Sequence, residues 1–173
     1  ISDGDIKQSG TCLYWVVKNT QERILISDQV LDYEKNDTHI FFVKMFEPTK
    51  IYVVAIGDFA NQQLCYESAY GNITFMYIAR YADSFLQFVE GEKRFFVLDM
   101  TTCVTTLLIE QYYIRYADIE FDDGAVGDWV WFEGKLTEDQ DGGSVIYRYN
   151  RITGEYEIDD SMEVELPVFK GQN

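Results

Sequence analysis

Tyr147-Arg148-Tyr149-Asn150-Arg151-Ile152-Thr153-Gly154-Glu155-Tyr156 reads as a strand, a tight turn at Thr153-Gly154 and the start of a second strand. Hairpins of this form occur in propeller blades and in most antiparallel sheets. The chain on either side repeats the same grammar. Leu13 to Val17, Arg23 to Ile26, Ile40 to Met45, Ile51 to Ile56 and Ile73 to Ile78 are short runs of β-branched and aromatic residues. Arg94 to Leu98, Val104 to Ile109, Gln111 to Tyr116, Trp129 to Phe132 and Val145 to Tyr149 continue them. Turn signals separate the runs at Glu47-Pro48-Thr49, Tyr70-Gly71-Asn72, Glu90-Gly91-Glu92, Asp122-Asp123-Gly124 and Asp141-Gly142-Gly143.

Strands of this length and spacing predict an all-β, antiparallel fold: a sandwich or an incomplete propeller-like stack of short strands, with at most one short helix. The helical candidate is Ile78 to Val89, where Ile78, Tyr81, Ala82, Phe85, Leu86 and Val89 recur at helical spacing. Its aromatic content favours a strand bent at Ala82-Asp83. Arg80-Tyr81-Ala82-Asp83 recurs as Arg115-Tyr116-Ala117-Asp118. The echo is either a repeated sheet unit or a chance recurrence in an aromatic-rich chain.

The whole chain, 1–173, is expected to form a single domain, with no evident linker. Glu155 to Glu165 reads as an edge strand followed by a tail. Pro167 bars a central ladder position, and 167–173 is expected to be frayed.

A formal charge of −16 on 173 residues accompanies an aromatic content of 16%, so an acidic surface coexists with ample material for a core. That charge disfavours nucleic acid and anionic membranes and favours a basic partner. The 14 Lys and Arg are scattered and form no basic stripe. No stretch is apolar for the length a membrane-spanning helix needs.

The sequence begins at Ile1 without Met, which suggests a mature periplasmic or secreted chain, with a cytoplasmic one as the alternative. Cys12, Cys65 and Cys103 permit at most one internal bridge. Two readings stand: three buried thiols, or one disulfide with one thiol left over. Asn36-Asp37-Thr38 and Asn72-Ile73-Thr74 match the glycosylation pattern, a short triplet that arises often by chance.

Chemistry has few places to reside. His39 is the only histidine, which excludes multi-histidine zinc sites, and no Gly-x-Ser-x-Gly elbow occurs. Glu110, Asp118 and Glu120 stand among aromatics, an arrangement that suits a sugar-cleaving carboxylate pair and equally a polar sheet face. Asp139-Gln140-Asp141-Gly142 has the alternating carboxylates of a calcium loop but lacks its later ligands. Asp122, Asp123 and Asp128, around Gly124 and Gly127, form a second acidic loop. Solvated turns or a partner-facing surface account for both loops more simply than calcium. No phosphate-binding glycine motif occurs, and neither a metal nor an organic cofactor is expected.

The candidate surface lies between Glu120 and Glu165, where fourteen carboxylates face only Lys135, Arg148 and Arg151. Trp129 and Trp131 alternate with Val130 and Phe132 and therefore share one strand face. If that face is exposed, the two rings form an aromatic anchor inside an acidic rim. The expected partner-binding set is Asp122, Asp123, Asp128, Trp129, Trp131, Glu133, Asp139 and Asp141. With no catalytic signature, the sequence reads as a non-enzymatic binding protein that neutralises a basic protein, as an immunity or inhibitor protein captures a toxin or effector. The alternatives are a lipocalin-like barrel holding a small cationic or apolar ligand, and a carbohydrate-binding module.

Overall fold

A computed structural model describes residues 3–79, 82–140 and 145–159. These residues form fifteen strands and no helix. In chain order they are β1 (Gly4–Ser9), β2 (Cys12–Val17), β3 (Arg23–Ser27), β4 (Val30–Lys35), β5 (His39–Lys44), β6 (Glu47–Ala55), β7 (Gln63–Glu67) and β8 (Ile73–Ile78). There follow β9 (Phe85–Glu90), β10 (Arg94–Asp99), β11 (Thr105–Glu110), β12 (Tyr113–Asp122), β13 (Ala125–Lys135), β14 (Val145–Asn150) and β15 (Tyr156–Ile158). Every paired neighbour is antiparallel, and each sheet is a meander in sequence order: β1–β3, β4–β7, β8–β11 and β12–β15. A four-stranded meander is the unit from which propeller-like stacks are built. None of the four sheets closes on itself, so the barrel alternative has no closed barrel to build on.

The chain divides into two compact units, one ending at Glu67 and the other beginning at Ser68. In the first, Leu13, Trp15 and Ile26 from β2 and β3 pack with Ile40, Phe42 and Val54 from β5 and β6. Successive residues Phe41 and Phe42 are both fully buried, so β5 is covered on both faces. That explains its unbroken apolar run. Each such Phe stabilises the fold by roughly 1.5–3 kcal/mol.

One expected turn moves. The β5–β6 hairpin turns at Met45-Phe46, closed by the Lys44–Glu47 pair, and leaves Phe46 75% exposed. Pro48 falls inside β6, between the Lys44↔Glu47 and Val43↔Ile51 pairs, where one step along β5 is matched by four along β6. Proline is tolerated there because a bulged residue owes the ladder no N–H.

In the second unit Phe95, Val97, Ile114, Ile119, Val130 and Phe132 form the centre of a core shared by the β8–β11 and β12–β15 sheets. Polar links also join these sheets, among them the Ile114 N–H donating to the Glu92 carbonyl at 2.6 Å. The fully buried Gln87 donates to Asp118 Oδ1 at 3.0 Å and accepts from the Ile119 N–H at 3.2 Å. The Tyr77 hydroxyl donates to the Ala117 carbonyl.

Ile78 to Val89, expected as one strand bent at Ala82-Asp83, is instead parts of two: β8 ends at Ile78, β9 begins at Phe85, and the two pair antiparallel, Ile78 opposite Leu86. Within the repeated four-residue word, Ala82 precedes β9, whereas Ala117 and Asp118 lie inside β12. The two copies therefore occupy different places, and the word marks no repeating structural unit. The expected frayed tail, 167–173, lies outside the described residues.

Candidate functional site

The β12–β13 hairpin turns at Asp123-Gly124, whose φ angles are 47° and 78°. Positive φ at both central positions is what a two-residue hairpin turn of the primed kind needs, and Asp-Gly supplies it. Beyond the turn the ladder is interrupted. Phe121 pairs with Val126, and Ile119 pairs with Val130, so two steps along β12 are matched by four along β13. The surplus is a bulge at Gly127-Asp128-Trp129, opposite Glu120. A side chain at Gly127 would place its Cβ 2.6 Å from the Glu120 carbonyl oxygen. Only glycine lets the two backbones approach so closely.

Arg151 holds the bulge. Its Nε donates to the Gly127 carbonyl at 2.7 Å, and its guanidinium reaches the Val126 carbonyl at 3.5 Å. Its backbone N–H donates to the Asp128 carbonyl at 2.9 Å. Carbonyls released from the ladder are thereby satisfied by a cation from the β14–β15 turn.

The bulge opens a groove of about 450 Å³, lined by Glu120, Phe121, Asp122, Val126, Asp128 and Trp129 together with Ala125 and Gly127. Glu120, Asp122 and Asp128 are exposed, and the side-chain carboxylates of the three accept no hydrogen bond from the described residues. The nearest cation is Arg151, 3.7 Å from Asp128 Oδ1, an ion pair of which the aspartate is 61% exposed. The groove thus joins three solvated carboxylates to an indole and a phenyl ring.

Of the expected set, Asp122, Asp128 and Trp129 line this groove, and Asp123 forms the adjoining turn. Trp131 and Glu133 lie farther along the same face of β13. Both Trp rings are half-buried on the face opposite Val130 and Phe132, and Arg148 lies over them, 4.3 Å from the Trp129 centroid and 5.3 Å from that of Trp131. Arg148 also donates to Glu157 at 3.1 Å. Glu133 accepts from Arg115 at 2.9 Å. Asp139 is exposed, in a loop organised by Gln140, whose Oε1 accepts from the Leu136 N–H at 3.1 Å and the Tyr147 hydroxyl at 2.9 Å. Asp141 lies outside the described residues.

Sequence reasoning left Glu120, Gly127 and Arg151 out of the set. An isolated glycine inside a strand pattern was the available signal, since it marks a bulge or a close backbone approach.

The other chemical candidates fall into structural roles. His39 opens β5, with Nδ1 2.9 Å from the Thr38 hydroxyl. Glu110 pairs with Arg94 at 3.2 Å, and Asp118 is joined to Gln87. Among the described residues no cluster of His, Cys, Asp or Glu is arranged to hold a metal ion. Cys65 and Cys103 are disulfide-bonded, and Cys12 is a free, half-buried thiol.

No family model matches the sequence, and no curated protein does. Solved structures do share the fold. An oligogalacturonate lyase in complex with manganese matches with a TM-score of 0.58 at 17% identity, over 93% of this chain and 45% of that one. The tricorn protease matches with a TM-score of 0.59 at 13% identity, over 88% of this chain and 15% of that one. A structure from a study of two prolyl endopeptidases matches with a TM-score of 0.55 at 11% identity, over 85% and 22%. The chain thus spans less than half the length of each. At these identities the likeness concerns the fold alone.

It nevertheless corrects one expectation. The chain was expected to be non-enzymatic because no linear catalytic signature occurs, yet its fold recurs in proteins whose names are those of enzymes. The inference from a missing motif fails for a physical reason. In a stack of short meanders, functional groups come together from loops and bulges far apart in sequence, so no contiguous motif is required.

Proposed function

We propose that this chain binds a basic protein through the acidic, aromatic groove of the β12–β13 hairpin, in the manner of an immunity or inhibitor protein engaging a toxin or effector. The observation that carries the reading is the groove itself: Glu120, Asp122 and Asp128 around Trp129 and Phe121. The formal charge of −16 extends the attraction beyond the groove, and complementary charge raises association rates steeply. The disulfide-bonded Cys65 and Cys103 support an encounter in an oxidising compartment, the periplasm or the cell exterior.

The test is capture from the source organism on immobilised wild-type protein and on a Glu120→Gln/Asp122→Asn/Asp128→Asn variant, followed by binding kinetics on each purified partner. A basic protein retained by the wild type and lost by the variant is expected. Its association should slow as salt rises, since the Debye length falls from ~10 Å at 0.1 M to ~3 Å at 1 M. An acidic partner, or one bound equally by the variant at every salt concentration, would overturn the reading.

A further inference from the structure

Two of the guanidinium groups that the β12–β15 sheet accommodates, those of Arg148 and Arg151, illustrate separate modes of recognition. Arg148 lies over indoles, 4.3 Å from the Trp129 centroid, with Glu157 fixing its Nη1 at 3.1 Å. Arg151 directs its Nε to the Gly127 carbonyl at 2.7 Å, with Asp128 at 3.7 Å. The groove between Glu120 and Trp129 presents both chemistries at once. It has aromatic walls in Trp129 and Phe121, and three carboxylates in Glu120, Asp122 and Asp128. Glu120 and Asp122 make no ion pair among the described residues, unlike Glu110, Glu133 and Glu157, each held by an arginine of the same chain, and unlike Asp128, which Arg151 approaches to 3.7 Å.

We infer that the groove is an anchor pocket for an arginine of the partner, selecting guanidinium over the ammonium of lysine; this rests on the basic-partner reading above. Two physical differences give the selection. A planar guanidinium forks onto a carboxylate with two parallel N–H donors and stacks on an aromatic face at the same time. It is also more weakly hydrated than an ammonium, so it loses less on entering a groove with apolar walls. A lysine gains the Coulomb attraction but neither the fork nor the stack. The volume of about 450 Å³ lies within the range of small-ligand pockets, ample for one such side chain with bridging water.

The probes are two blocked peptides of one sequence, identical except that every basic position is arginine in one and lysine in the other. Each is titrated into the ¹⁵N-labelled full chain at low salt. The arginine peptide is expected to shift the amides of Glu120 to Trp129 and to bind at least about fivefold more tightly than the lysine peptide. Glu120→Gln/Asp122→Asn is expected to erase that preference while the remaining amide spectrum stays native. Its two side chains are exposed, so folding does not depend on them.

Equal affinities would overturn the anchor and leave the electrostatic capture of a basic protein standing. Arginine-selective shifts confined to amides outside the groove would overturn the location. Absence of binding by either peptide would overturn both the anchor and the basic-partner reading.

Discussion

Replacing Arg151 with alanine tests whether the bulge is held from outside the hairpin. The side chain makes one short charged hydrogen bond, Nε to the Gly127 carbonyl at 2.7 Å, and such bonds contribute ~1.5–3 kcal/mol. Its reach to the Val126 carbonyl, at 3.5 Å, is at the geometric limit and adds little. The ion pair with Asp128, at 3.7 Å and mostly exposed, adds under ~0.5 kcal/mol after solvent screening. The backbone bond from the Arg151 N–H to the Asp128 carbonyl survives the substitution. The expected loss is therefore about 2 kcal/mol, concentrated on the hairpin. Native-state hydrogen exchange reads this residue by residue. A 2 kcal/mol loss raises the opening constant about thirtyfold at the amides of 119–130. Amides of the β4–β7 sheet should exchange as in the wild type. Arg151→Lys should restore little, because one ammonium cannot reproduce the directed Nε bond. Unchanged exchange at the hairpin would refute the reasoning, and so would uniform acceleration in both sheets.

Three further outcomes are expected. Gly127→Ala forces Cβ against the Glu120 carbonyl and should cost ~1–3 kcal/mol by denaturant unfolding, with weaker capture of the basic partner. Gln87→Leu removes both side-chain bonds from a fully buried site and should destabilise the second unit by ~1–3 kcal/mol, seen as faster exchange at the Ile119 amide. Hydrogen bonds from Lys50 and then Tyr52 hold the Glu47 carboxyl below its ordinary value. Because the folded value is lowered, its stabilising contribution is present above the usual glutamate range and is lost as pH falls through the folded pKa. Carboxyl NMR titration should place Glu47 below the ordinary glutamate value, and Lys50→Met should raise it; an unmoved midpoint would count against that account.

The fold was largely legible because the central strands advertise themselves. β5 and β10 are buried on both faces and read as unbroken apolar runs, Ile40 to Val43 and Phe95 to Leu98. The strands that escaped notice, β1 (Gly4–Ser9), β4 (Val30–Lys35) and β7 (Gln63–Glu67), are all edge strands with at most one buried residue each. The Met45-Phe46 turn escaped because neither residue has the backbone preferences that mark turns, while the nearby Pro48 does.

The site was legible in part. Alternation placed Trp129 and Trp131 on one face, and the acidic run pointed to the hairpin that carries the groove. What organises the groove, Arg151, stands 24 positions from the carbonyl it holds, and only the sheet brings the two together.

The ladder resumes on both sides of the bulge, with Phe121↔Val126 before it and Ile119↔Val130 after it. The extra residues therefore behave as an insert with fixed ends. Lengthening or shortening Gly127-Asp128-Trp129 in pairs would resize the groove while keeping every flanking side chain on its own face, because strand orientation repeats every second residue. The shape and lining of the groove can drift through the length and spelling of one such insert, leaving the core beneath it untouched.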